Sequence, residues 1–151
     1  MDLSLTPDQI AILDALDSLA KPFEAVPIGD HNCALVSAQL DRELEQGGFL
    51  DVAFDPDLGT VTAAIITERL ARLPYTSEVA MSALVRPLLG EEITGPLCMV
   101  EEGKNNRLLR FLRAGATVVM IGDYCVCSMV VTAEQVRAEP ESLYGYPMGT
   151  L

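Results

Sequence analysis

Gly95-Pro96-Leu97-Cys98-Met99-Val100 is where the chain changes character. Before this point apolar residues recur at three- and four-residue steps. After it they come in short runs: Leu97 to Val100, Leu108 to Leu112, Ala116 to Ile121 and Tyr124 to Val131. Turn-forming residues separate the runs, at Gly103-Lys104-Asn105-Asn106, Ala114-Gly115 and Gly122-Asp123. Short apolar runs divided by such turns predict a β-meander of three or four antiparallel strands. The closing stretch, Glu139 to Leu151, holds Pro140, Gly145, Pro147 and Gly149 and is expected to be irregular.

Upstream, four helices are expected. The first, Thr6–Lys21, opens with Thr6 as N-cap, Pro7 at the first helical position and Gln9 closing a capping box. Leu5 is placed to staple onto Ile10, and Ile12, Leu13, Leu16, Leu19, Ala20 and Phe23 continue an apolar stripe. The second, Ala34–Gln46, turns Leu35, Leu40 and Leu44 inward and stops at Gly47-Gly48, where glycine accepts left-handed backbone. Phe49 to Phe54 and the Asp55-Pro56-Asp57 turn follow. The third helix, Thr60–Leu73, is apolar on nearly every side, the pattern of a helix buried at the centre of a bundle. Asp in place of Ile65 in this helix is expected to abolish folding. The fourth, Ser77–Leu89, carries Pro87 in its last turn, where the ring should distort it. Helices first and strands afterwards give an α+β fold: a helical bundle over residues 1–94, then a small, partial antiparallel β-domain over residues 95–151.

A formal net charge of −12 excludes the basic surfaces that nucleic acid and anionic membranes require. No apolar run approaches the roughly 18 residues of a membrane span. Met1-Asp2-Leu3-Ser4 lacks the basic and apolar regions of a secretion signal. The cysteines Cys33, Cys98, Cys125 and Cys127 show neither disulfide-framework nor zinc-finger spacing, and reduced thiols fit a cytoplasmic location. Cys125 and Cys127 share one face of a strand, which leaves a metal or redox pair open. Free thiols acting as small hydrophobes are the plainer reading.

Three anchors carry a family resemblance. Leu5-Thr6-Pro7-Asp8-Gln9 before an amphipathic helix is the first. Leu44-Glu45-Gln46-Gly47-Gly48-Phe49-Leu50, followed by a helix containing Thr67-Glu68-Arg69-Leu70-Ala71, is the second. Cys98-Met99-Val100-Glu101-Glu102-Gly103 is the third. In this order they resemble the start of the acyl-CoA dehydrogenase family: its N-terminal helical domain and the first part of its middle β-domain. The resemblance spans nearly the whole chain. It implies FAD as cofactor, an acyl-CoA thioester as substrate, and Met99, Val100 and Glu101 on the strand beside the flavin.

The chain departs from that family where the chemistry is done. The family's flavin-contacting threonine is replaced by Val100. Lys104-Asn105-Asn106 stands where a Gly-Ser-Asp-type loop is usual, and Val118-Val119-Met120-Ile121 has neither the tryptophan nor the threonine of the later flavin-flanking strand. Desaturation between Cα and Cβ needs a carboxylate base for the α-proton and a flavin to receive the β-hydride. No residue here is assigned as that base, so no catalytic residue and no metal ligand is named. Asp41, Glu43, Glu45, Glu91, Glu92, Glu101 and Glu102 read as solvated charges. His31 reads as a loop histidine, since Asp30 beside it is badly placed to orient it. Lys104, Arg107, Arg110 and Arg113 form the one basic cluster, which could meet a phosphate but reads as charge balance. Tyr144-Gly145-Tyr146-Pro147 reads as a docking segment or a tail. The expectation is therefore the N-terminal part of a flavoprotein that binds FAD poorly alone. It works as a homo-oligomer or with a part or partner subunit that supplies what is missing. A non-catalytic subunit supporting a flavin-bearing partner is the alternative.

Overall fold

The computed structural model describes residues 4–26, 35–90, 92–103, 108–139 and 147–151. The fold is α+β: among the described residues every helix ends by Leu89 and every strand lies from Leu97 onward, apart from one short 3-10 turn at Ala133–Gln135.

Helix α1 (Pro7–Ala20) starts as its cap dictates. Gln9 N–H donates to Thr6 Oγ1 at 3.2 Å, and Thr6 N–H donates to Gln9 Oε1 at 3.0 Å. The same Gln9 side chain donates from Nε2 to Leu58 O and to Thr62 Oγ1, tying the cap to a helix some fifty residues on. Leu13 and Leu16 are buried, and Leu5 packs on the helical core. Ile10 is exposed, so it takes no part in the expected staple.

Helix α2 (Ala38–Gln46) begins later than the apolar pattern implies, because Ser37 is the N-cap and accepts a hydrogen bond from Leu40 N–H. Ala34, its expected first residue, lies outside the described residues. Its end is a Schellman motif: Phe49 N–H donates to Leu44 O, Gly48 N–H donates to Glu45 O, and Gly48 has φ +73°. Helix α3 (Gly59–Leu70) follows a turn in which Asp55 Oδ1 accepts from the amides of Asp57 and Leu58. It stops at Leu70, ahead of Pro74, rather than at Leu73. Only one face of α3 is buried, through Thr62, Ala63, Ile66 and Leu70. Val61 is 65% exposed and Ile65 half-buried, so the helix is not covered all round. Yet it buries more residues than any other α-helix among the described residues and packs against α1 and the last helical stretch, as expected of the central helix.

The last helical stretch is not a regular α-helix. A π-helical turn, Met81–Val85, runs into α4 (Arg86–Leu89). Pro87 has no N–H, and its ring would meet the carbonyl of Ala83 in a regular helix. The widened turn, closed by Arg86 N–H to Met81 O, lies over that carbonyl.

The strands are β1 (Leu97–Glu101), β2 (Leu109–Arg110), β3 (Thr117–Ile121), β4 (Val126–Val130), β5 (Arg137–Glu139) and β6 (Met148–Thr150). They do not form a meander. One sheet has the order β1-β3-β4, with β1 parallel to β3 and β4 antiparallel to it; a second has the order β2-β6-β5. Between β1 and β3 the chain leaves for the second sheet to lay down β2, so β3 returns parallel to β1. The Gly- and Pro-rich end is not wholly irregular either, since β6 sits at the centre of the second sheet. Gly95 makes the crossover possible: its φ is +74°, and a Cβ there would stand 2.6 Å from Gly115 O.

The helices enclose one core around Leu13, Leu16, Leu40, Leu44 and Ile66. One sheet face packs inward around Cys98, Val100, Val118 and Val131. On the other face Leu97 and Val119 meet Met81, Leu89 and Ile93, which joins sheet to helices. Arg113, just after β2, reaches Asp41 of α2 at 3.4 Å, a second link across the same boundary.

Candidate functional site

The strand that the resemblance places beside flavin is β1. Side chains alternate along it, so Leu97, Met99 and Glu101 share one face while Cys98 and Val100 share the other. Val100 is only 8% exposed and belongs to the inward face. Met99 (39% exposed) and Glu101 open outward. Register carries that face across the sheet: Met99 pairs with Val119 and Glu101 with Ile121, and Val119 and Ile121 oppose Ser128 and Val126 on β4. Leu97 and Val119, nearest the helices, are covered. Beyond them Met99, Ile121, Val126 and Val130 lie exposed on the same face. The edge strand β4 is exposed along its whole length, with Val126 at 56% and Val130 at 59%. The sheet thus presents a mainly apolar shelf next to its joint with the helices.

That joint is built on Glu78, a residue the sequence reading passed over. Its carboxylate is largely buried, and it accepts from Ser82 Oγ–H at 2.6 Å, Ser82 N–H at 3.2 Å and Leu97 N–H at 3.0 Å. One side chain therefore satisfies the start of the last helical stretch and the first amide of β1. Burial raises the Glu78 carboxyl above its ordinary range, and these hydrogen bonds hold the rise in check. Both oxygens are engaged, so the group acts as a joint rather than as a base. Cys98 is the second buried titratable group here. Burial first, and the nearby Glu78 charge second, push its thiol up to about 12. It stays protonated and donates to Arg110 O at 3.0 Å, as a small structural side chain.

Other sequence candidates are dispersed. Asp41 is not the solvated charge expected: it is half-buried beside Arg113, and burial raises its carboxyl despite the opposing pull of that guanidinium. Glu92, Glu101 and Glu102 are exposed, and Glu43, only partly so, accepts from Gln39 Nε2. His31, Glu91, Lys104, Arg107, Tyr144 and Tyr146 lie outside the described residues. Arg113 is engaged with Asp41 on the helical side, which separates it from any phosphate-binding cluster. Among the described residues, no three of His, Cys, Asp and Glu converge to hold a metal. Among them, too, no helix is long and apolar enough to cross a membrane. A groove of about 610 Å³ between α1 and α3 is lined by Asp17, Glu68, Arg69 and Arg72; these pair as Arg69–Asp17 and Arg72–Glu68, well away from β1. Arg86, buried in the helical core, holds the Asp51 carboxylate and Leu50 O and lies over the Phe54 ring, a packing role.

No protein-family model, no curated protein and no solved structure matches the chain.

Proposed function

We propose that this chain is the N-terminal part of an FAD-dependent acyl-CoA dehydrogenase-like protein, in which another segment or subunit supplies the catalytic base. The observation that carries the reading is the open shelf of Met99, Ile121, Val126 and Val130, on the strand where the resemblance places flavin but on the face opposite Val100. A flat, largely apolar ring system needs such a surface, held by rigid strands. FAD, when bound, supplies the hydride acceptor for desaturation of an acyl-CoA thioester. The chain's own part is to seat the ring on Met99 and its neighbours and to exclude water from one side of it. Glu78 keeps β1 fixed to the helices while it does so.

A second reading is a non-catalytic subunit that buries the same shelf against a flavin-bearing partner. It is favoured by Val100, which carries no hydroxyl and turns its side chain into the core. Capture of the tagged chain from its source cells separates the outcomes. Both readings require flavin in the captured assembly and bleaching of its visible band by acyl-CoA. Flavin that leaves the assembly when this chain is stripped from it favours the first, and flavin kept by a separate captured subunit after this chain is stripped favours the second. An assembly without flavin and indifferent to acyl-CoA removes both.

A further inference from the structure

Cysteine is among the most buried residue types, and Cys98 obeys that rule. Cys125 and Cys127 break it together. Both are exposed, at and beside the start of edge strand β4. Residues two apart on a strand stand ~6.8 Å apart along the backbone. These two side chains nevertheless lean together until Cys127 S–H donates to Cys125 Sγ at 3.9 Å. Metal–thiolate bonds of ~2.3 Å spanning that 3.9 Å would subtend about 116° at the ion, near the ~109° of a tetrahedral site. The separation is therefore close to the bite of a chelating dithiolate before any ion arrives. The Glu102 carboxylate adds negative charge beside Cys125, and net charge over the chain is −12, both favourable to a cation.

We propose that Cys125 and Cys127 form a surface dithiol clamp for a thiophilic d¹⁰ divalent cation, Zn²⁺ or its softer analogue Cd²⁺. This site rests on no assumption about flavin. Binding converts two thiols to two thiolates, so each ion bound releases two protons, and the metal forms two sulfur bonds with no change of oxidation state. Two coordination positions stay open to water or an external thiol. The neutral thiols are poor ligands until the ion displaces their protons, so affinity should increase with pH.

The test is Cd²⁺ titration of the full, reduced, metal-free chain, read by thiolate-to-metal absorption in the ultraviolet and by proton release. The expected result is a saturating band with two protons released per ion. Single replacements Cys125→Ser and Cys127→Ser should each weaken binding about 100-fold, as one arm of a two-point attachment is lost. Cys33→Ser and Cys98→Ser should leave it intact. Both clamp positions are exposed, so the serine variants should keep the wild-type circular dichroism spectrum. The proposal is overturned if the double variant retains the band, or if the folded chain binds Cd²⁺ no more tightly than an isolated peptide covering residues 122–130.

Discussion

Glu78 provides the sharpest test of how helices and sheet are joined. Glu78→Ala removes the acceptor for Leu97 N–H, Ser82 N–H and Ser82 Oγ–H. The hydroxyl can rotate to a new partner, but the Leu97 amide is buried with the first residue of β1. A buried donor left without a partner costs about 1–3 kcal/mol, so the variant should lose about 2–4 kcal/mol of a total near 5–15. Glu78→Gln keeps one carbonyl oxygen, which can serve Leu97 N–H and the Ser82 hydroxyl while its NH2 group faces Ser82 N–H, and it removes a buried charge, so at neutral pH it should lose less than the alanine variant. The two proteins should then part with pH. Because the Glu78 pKa is raised in the fold, the folded state holds its proton more tightly than the unfolded chain. The stability tied to that proton is complete below the ordinary glutamate value and is lost as pH climbs through the folded value. Wild type should therefore gain on Glu78→Gln as pH falls from about 7 to about 4. Urea melts of the three proteins at both pH values measure this. An alanine variant as stable as wild type, or a glutamine variant as damaged as the alanine one at neutral pH, would refute the joint.

Three further outcomes follow from named contacts. Gly95→Ala meets Gly115 O and a φ of +74°, and should cost about 2–4 kcal/mol in a thermal or urea melt. Ile66→Asp, at a fully buried position, should leave no cooperative transition, whereas Ile65→Asp at its half-buried neighbour should remain foldable and Val61→Lys should shift the midpoint by no more than about 0.5 kcal/mol. Because β4 is an exposed, uncharged edge, light scattering at micromolar concentration should find a dimer or larger assembly; a 16.3 kDa monomer that binds no hydrophobic dye contradicts that.

What could be read from sequence was local. Thr6-Pro7-Gln9 and Gly47-Gly48 dictate hydrogen bonds within a few residues, and both caps form as expected. Pairing between strands is decided far along the chain. Alternation in Leu97 to Val100 and Ala116 to Ile121 marked strands, but it cannot distinguish a hairpin neighbour from the parallel one that forms. β2 is two residues long and β6 reads Met-Gly-Thr, too short to stand out against glycine and proline. Composition overstated the cover of α3, where apolar Val61 faces water, because burial is set by what packs against a helix. The site was partly legible: Met99 and Glu101 reach an open face, but the inward turn of Val100 depends on a sheet register that no motif encodes. Glu78 was missed because its partner Leu97 belongs to a different element.

Flavin capture by the shelf tests the account at its centre. Met99→Asp and Val126→Asp place charge on the exposed face without entering a core, so the isolated variants should remain folded. The tagged wild-type chain, captured from its source cells, should bring down bound flavin whose visible absorbance bleaches on addition of acyl-CoA, while the double variant should bring down none. Equal flavin with both proteins, or none with the wild type, would contradict the assignment of this face.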